Sequence, residues 1–228
     1  MKVLIINNVA SVGWNQRKGL IARGHEVDLL TKEYSINTGT TIKTLSSYDI
    51  VHYNIPGSVR FAPQLFYYWL MGAKVVLHYH GTEARNPKQR AILKKLMRMI
   101  SSYSIVSTPD LLKLVPGSVW LRNCIDTDVF KPEGKGEGTV YFNNAKKKGI
   151  RHIEMAKFIN QYERAEVLPG TKSGMLDPRL MSVTALECLS CGLKVKHFEK
   201  FDREWVIKYY SIPVYTKQLE KIYKEILE

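Results

Sequence analysis

Two short segments carry the side chains best suited to chemistry, His80-Gly-Thr-Glu83 and Thr184-Ala-Leu-Glu187. His80 follows an apolar run at 74–78 that reads as a strand, and ligands of open α/β sheets sit beyond the carboxyl ends of the strands. An imidazole there can bond a sugar hydroxyl, accept a proton or meet a phosphate; a strand-end histidine bonded to backbone is the alternative. Gly81 lets the chain turn or approach a ligand closely. Arg85 adds a fixed positive charge whose fork fits phosphate or carboxylate. Thr184-x-x-Glu187 has the spacing of a capping box, with Thr184 at the N-cap and Glu187 at the third helical position. The same helix start could instead hold a nucleotide, Glu187 on the ribose hydroxyls and the amides at 182–184 on the phosphates. The pattern alone does not separate the two.

Two loops add to these. The stretch from Asn143 to Gly149 places three lysines, ending at Lys148, between an expected strand and an expected helix. Such an entrance is a local anion site, or else a solvated basic loop. The turn from Asn7 to Gly13 follows the first strand but lacks G-x-G-x-x-G, so no dinucleotide fingerprint is present. A small-residue loop before a helix N-terminus still admits a ligand, and a plain βα loop is the alternative. Cys124, Cys188 and Cys191 make no disulfide framework, and the Cys188–Cys191 pair has no second pair to complete a zinc site. They read as packing thiols.

Elements that could position these residues follow from hydrophobic spacing. Strands are expected at 2–7, 26–31, 42–45, 49–53, 74–78, 103–107 and 119–122, with helices at 12–23, 58–71, 87–101 and 109–114. After the glycine-rich, charged stretch 131–138 the alternation resumes: strand 139–142, helix 149–162, strand 165–168, helix 184–191, strand 193–198, helices 203–210 and 215–227. Strands alternating with helices imply an α/β fold with parallel sheets. The expected organisation is a first domain at 1–130, a linker at 131–138, a second domain at 139–210, and a C-terminal helix at 211–228 able to pack back on the first domain.

The formal charge is +13 over 228 residues, which favours anionic partners, although an ordinary basic surface is also compatible. Basic residues are scattered and no helix-turn-helix or aromatic RNA-binding pattern occurs, so nucleic acid is not expected. The helix at 87–101 combines Lys88, Arg90, Lys94, Lys95 and Arg98 with Ile92, Leu93, Leu96, Met97 and Ile100. That suits peripheral contact with an anionic membrane, or an ordinary surface helix with long basic chains. No apolar run approaches the ~20 residues of a membrane span. The first residues read as a strand and not as a signal peptide, so a cytoplasmic location is expected, peripheral on the inner face of the membrane at most.

The order of several segments resembles the retaining glycosyltransferases of the GT-B fold, the large family that includes sucrose synthase and the phosphatidylinositol mannosyltransferases. The stretches that carry it are Lys2–Asn7, Ala22–Val27, His80–Glu83, Ser104–Pro109, Arg122–Pro132, Lys148–Gly149 and Ala185–Gly192. The most specific, Asn123 to Pro132, resembles the N-x-(V/I)-D-T-x-x-F-x-P segment that leads into that family's second domain. The resemblance implies two Rossmann-like domains, the second reduced. It implies metal-independent transfer, without a cofactor, of a sugar from a UDP- or GDP-linked donor to a glycan or lipid-linked acceptor, with retention of configuration. His80 would be the catalytic residue near the reacting carbon. Lys148 would bind the diphosphate, and Glu187 the ribose as the second glutamate of E-x₇-E. Gly13, Asn143, Arg179 and Thr184 would complete the donor site, with Arg85 at a phosphate or the acceptor. Arg179 stands where the family has its first glutamate, and Asn143 where it has an arginine. A β-α unit is missing between Tyr162 and Met181. These departures leave open a non-catalytic relative that binds nucleotide or glycan, or that partners another transferase.

Overall fold

The computed structural model describes residues 1–8, 11–31, 48–54, 62–85, 91–134, 136–142, 152–167 and 183–228. The fold is α/β. Six strands, β1 (Lys2–Ile6), β2 (Glu26–Leu30), β3 (Ile50–Asn54), β4 (Lys74–Tyr79), β5 (Tyr103–Val106) and β6 (Val119–Trp120), form one sheet in the order β2-β1-β3-β4-β5-β6. Every pairing in it is parallel. Strands β1 and β4 are almost continuously apolar, and β1, β3 and β4 are buried along nearly their whole length. That is the composition a central parallel strand needs, because helices cover both faces. Helices α1 (Val12–Ala22), α2 (Ala62–Leu70), the single turn α3 (Thr82–Arg85) and α4 (Ala91–Ile100) separate the strands. Leu65, Tyr68 and Met97 project from α2 and α4 into a core with Tyr53, Val75, Leu77 and Val106.

The chain divides into two compact units, Met1–Arg122 with Thr216–Glu228, and Asn123–Tyr215. The division falls ahead of the glycine-rich stretch 131–138. In the second unit, β7 (Thr139–Phe142), β8 (Arg164–Val167) and β9 (Lys194–Val195) form a parallel sheet in chain order. Helices α5 (His152–Ile159), α6 (Val183–Ser190) and α7 (Arg203–Tyr210) supply Ile159, Leu186, Leu189 and Val206 to its core. Arg203 fastens this unit. Its guanidinium donates to the carbonyls of Phe130 (2.7 Å), Ser190 (2.5 Å) and Thr127 (2.9 Å), tying three segments to one planar group.

Some expected elements differ. The strand expected at 193–198 ends at Val195, because His197 adopts φ 70° and a turn closes from Phe198 N to Val195 O. The strand expected at 119–122 pairs only over Val119–Trp120, and the helix expected at 109–114 is a 3₁₀ turn at Pro109–Lys113. The last helix, α8 (Ile212–Leu227), starts before Tyr215 because Pro213 sits in its first turn, where a missing N–H leaves no helical bond unmade. The strand expected at 42–45, and the expected helix residues 58–61, 87–90 and 149–151, lie outside the described residues.

Within the first unit, Glu220 of α8 binds Arg23 and Lys224 (2.9 Å), with His25 at 3.4 Å. The hydrogen bond from Lys224, then that from Arg23, outweigh partial desolvation and hold the Glu220 carboxyl at about 2, below its ordinary 4.5. A depressed carboxyl stabilises the fold above its unfolded value and ceases to do so as pH falls through the folded one. The melting temperature is therefore expected to fall as pH drops from 4.5 towards about 2. Glu220→Gln should lower the melting temperature at neutral pH and flatten that acid-side drop; an unaltered acid profile would rule out this ion cluster as its source.

Candidate functional site

The sheet order reverses at β1, which has β2 on one side and β3 on the other. Such a switch point opens a crevice at the carboxyl ends of the strands. Asn7 lies just past β1, Asn54 ends β3, His80 lies just past β4 and Ser107 just past β5. The loop after β1 is strained: Asn7 (φ 74°) and Ser11 (φ 63°) are non-glycine residues in the left-handed region, a cost found most often at functional sites. Gly13 belongs to the first turn of α1, where a Cβ would stand 2.8 Å from Asn7 O. Glycine is thus required there by the close approach of loop and helix.

At and beneath these strand ends runs a chain of buried polar groups. Tyr223 Oη lies 2.8 Å from His52 Nδ1. His52 Nε2 lies 3.1 Å from His78 Nδ1, and His78 Nε2 lies 3.2 Å from Ser107 Oγ. Ser107 Oγ lies 2.7 Å from His80 Nδ1, and His80 Nε2 lies 2.9 Å from Asn54 Oδ1. Asn54 Nδ2 donates to Gln16 Oε1 (2.9 Å) and to the Asn7 carbonyl (3.2 Å). Gln16, His52, Asn54, His78 and Tyr223 are fully buried.

Charge states follow from burial. Desolvation, then the neighbouring His80, lowers His52 to about 3, and desolvation lowers His78 well below the ordinary histidine value. Burial pushes the Tyr223 hydroxyl well above its ordinary range, so it stays a donor. One set of proton positions then satisfies every link. Asn54 Oδ1 can only accept, so His80 carries its proton on Nε2 and accepts at Nδ1 from Ser107. Ser107 accepts from His78 Nε2–H, His78 Nδ1 accepts from His52 Nε2–H, and His52 Nδ1 accepts from Tyr223. The 3.2 Å approach of Ser107 Oγ to the Tyr79 carbonyl competes for the same hydroxyl proton.

In that direction Gln16 Nε2, 3.2 Å from His52 Nε2, meets another donor, and it is left to donate to His78 Nδ1 at 3.4 Å. Reversing the chain makes the Gln16–His52 contact a donor–acceptor pair. Reversal also requires N–H on both nitrogens of His80, which is the imidazolium. Reversal would also set two donors against each other at Gln16 and His78 and take from the Tyr223 hydroxyl its acceptor, so the first direction is the one that satisfies the chain. In both directions the two ring nitrogens of His80 bond to Ser107 and Asn54.

The remaining expected site residues are placed as follows. Arg85 Nη2 binds Asp110 Oδ2 at 2.7 Å, and its guanidinium lies over Gly81 (φ 142°), where a Cβ would stand 2.6 Å from Nη1. Thr184 is not an N-cap: α6 starts at Val183, so Thr184 belongs to its first turn and is buried. The capping-box assignment fails because Val183 and Thr184 are themselves already helical. Glu187 lies mid-helix with only 7% of its surface exposed. A buried carboxylate costs several kcal/mol unless bonded, so it is rarely there for packing alone. Asn143, Lys148 and Arg179 lie outside the described residues. Cys124, Cys188 and Cys191 are free and buried, and burial pushes the Cys191 thiol up to about 12. Among the described residues no three His, Cys, Asp or Glu side chains are arranged to hold a metal ion.

Scanned against models of known protein families, the chain matches none, and a search of curated proteins also returns no match. Sequence reasoning missed Gln16, His52, Asn54, His78, Ser107 and Tyr223. A signal for three of them was present. His52 and Asn54 in β3, and His78 with His80 at the end of β4, are polar residues two apart in otherwise apolar strands, so each pair shares one face.

Tyr223→Phe removes the terminal donor and leaves His52 Nδ1 without its partner in a dry site. It is expected to cost about 1–3 kcal/mol in urea unfolding at neutral pH. Unchanged stability would mean that this link carries no weight.

Proposed function

We propose that the chain is a retaining glycosyltransferase of the GT-B type. It would move a sugar from a UDP- or GDP-linked donor to a glycan or lipid-linked acceptor without a metal ion. The observation that carries this reading is the convergence of Asn7, Asn54, His80 and Ser107 at the carboxyl ends of parallel strands flanking a switch point. The family-like segment His80–Glu83 supplies one of them. His80 borders the sugar as a ring fixed on both sides. The negative charge developing on the leaving diphosphate falls to Lys148 and to helix N-termini. Glu187 holds the ribose. Arg179 and Asn143 replace two of the family's donor contacts, which makes a phosphate or acidic group on the sugar a natural match for Arg179.

A second reading rests on a specific observation. With both nitrogens bonded within the protein, His80 is not free to act as a base. A relative that binds nucleotide or glycan without turnover fits that geometry as well.

Screening UDP- and GDP-sugars by thermal shift tests both. A true donor at 100 times its Kd stabilises by about 2.7 kcal/mol, which for a chain of this size is roughly 5–10 °C. Glu187→Gln is expected to weaken that ligand about tenfold while moving the ligand-free melting temperature by no more than about 2 °C. A large loss of stability with unchanged affinity would mark Glu187 as structural. Stabilisation without transfer or donor hydrolysis would favour the non-catalytic reading, and no response to any nucleotide sugar would sink both.

A further inference from the structure

Among the described residues no helix is long and apolar enough to cross a membrane. Yet the outer surface of the first unit carries an apolar patch that its own core does not use. Helices α2 and α4 pack side by side on the sheet, and each sends one set of side chains inward: Leu65 and Tyr68 from α2, Met97 from α4. Other apolar residues of the two helices stay at the surface. Phe66, Trp69, Leu70 and Met71 at α2, with Leu96 and Met99 on α4, are 41% to 71% exposed. The Phe66 and Trp69 rings lie against each other, their centroids 5.5 Å apart. Single exposed apolar residues are ordinary; five on two touching helices, with Met71 just after the first, mark a surface that meets something other than water.

Charge decides what that is. Lys95 and Arg98 stand exposed on α4 beside Leu96 and Met99. Along Ala62–Leu70 and Ala91–Ile100 the sequence holds three basic residues, Lys94, Lys95 and Arg98, and no acid. Such a face repels a second copy of itself. Aromatic and aliphatic side chains among lysine and arginine, on helices lying along the surface, match the headgroup region of an anionic bilayer. We propose that the outer face of α2 and α4 docks on an anionic lipid surface, with Trp69, Leu70 and Met99 entering the headgroup–acyl boundary and Lys95 and Arg98 bonding lipid phosphates. This does not depend on the transferase reading, and vesicle binding without nucleotide keeps the two failures apart.

Flotation of the full chain with phosphatidylcholine vesicles, with and without phosphatidylglycerol, tests it. The protein is expected to float with the anionic vesicles at about 0.1 M salt and to be largely released at about 1 M. It should not float with pure phosphatidylcholine. Lys95→Glu with Arg98→Glu, and separately Leu70→Ser with Met99→Ser, are each expected to reduce partitioning about tenfold or more with unchanged circular dichroism. Failure to float with anionic vesicles overturns the proposal, as does undiminished binding by both double variants. Loss with the charge variant alone overturns docking through the apolar face. Retention on an acidic protein without flotation would assign the surface to a protein partner instead.

Discussion

A polar group taken out of water must find a partner, and that requirement shapes the first unit more than any other. Three histidines, two amides, a serine and a tyrosine lie at or under the carboxyl ends of four neighbouring strands. Each is acceptable there only because the next supplies its missing donor or acceptor. The chain of bonds fixes side-chain orientation and, because both inner histidines are held neutral, also fixes which nitrogen carries each proton. It joins α1, β3, β4, the residue after β5 and α8 into one constraint. The C-terminal helix is therefore held against the first unit at two points: Tyr223 inside, and Glu220 at its edge.

The same network limits the chemistry. His80 has no ring nitrogen to spare for a proton held by a ligand. A reaction that needs a fixed polar wall suits this site better than one that needs a mobile base. In the second unit the dominant fastening is a single guanidinium, Arg203, on three carbonyls, and its thiols are buried. The two units thus rely on different polar devices, one a relay and the other a clamp.

The class of fold was legible because central parallel strands leave a plain mark: Val-Leu-Ile-Ile at β1 and Val-Val-Leu-His at β4 have no alternation to hide. Edge and terminal elements were less so. β9 is cut short by one left-handed residue, His197, which no periodicity announces. His52, Asn54 and His78 were visible as polar interruptions of apolar runs, yet their partners were not. Tyr223 read as one member of an apolar stripe, and its bond to His52 spans 171 residues. Gln16 sits in a helix whose sequence gives no sign that one amide turns inward. Pairing over such separations is decided by tertiary packing, and local pattern carries no record of it. Thr184 misled for the opposite reason: its capping spacing is genuine, but the helix had already begun.

The proton positions in the buried chain are the most direct check. Nitrogen-15 spectra of the histidine rings, recorded from about pH 8 down to about pH 5, read them one by one. His52 and His78 are expected to remain neutral throughout, each with its proton on Nε2 at the upper end. Either inner histidine becoming charged in this window, or carrying its proton on Nδ1 at the upper end, would contradict the account.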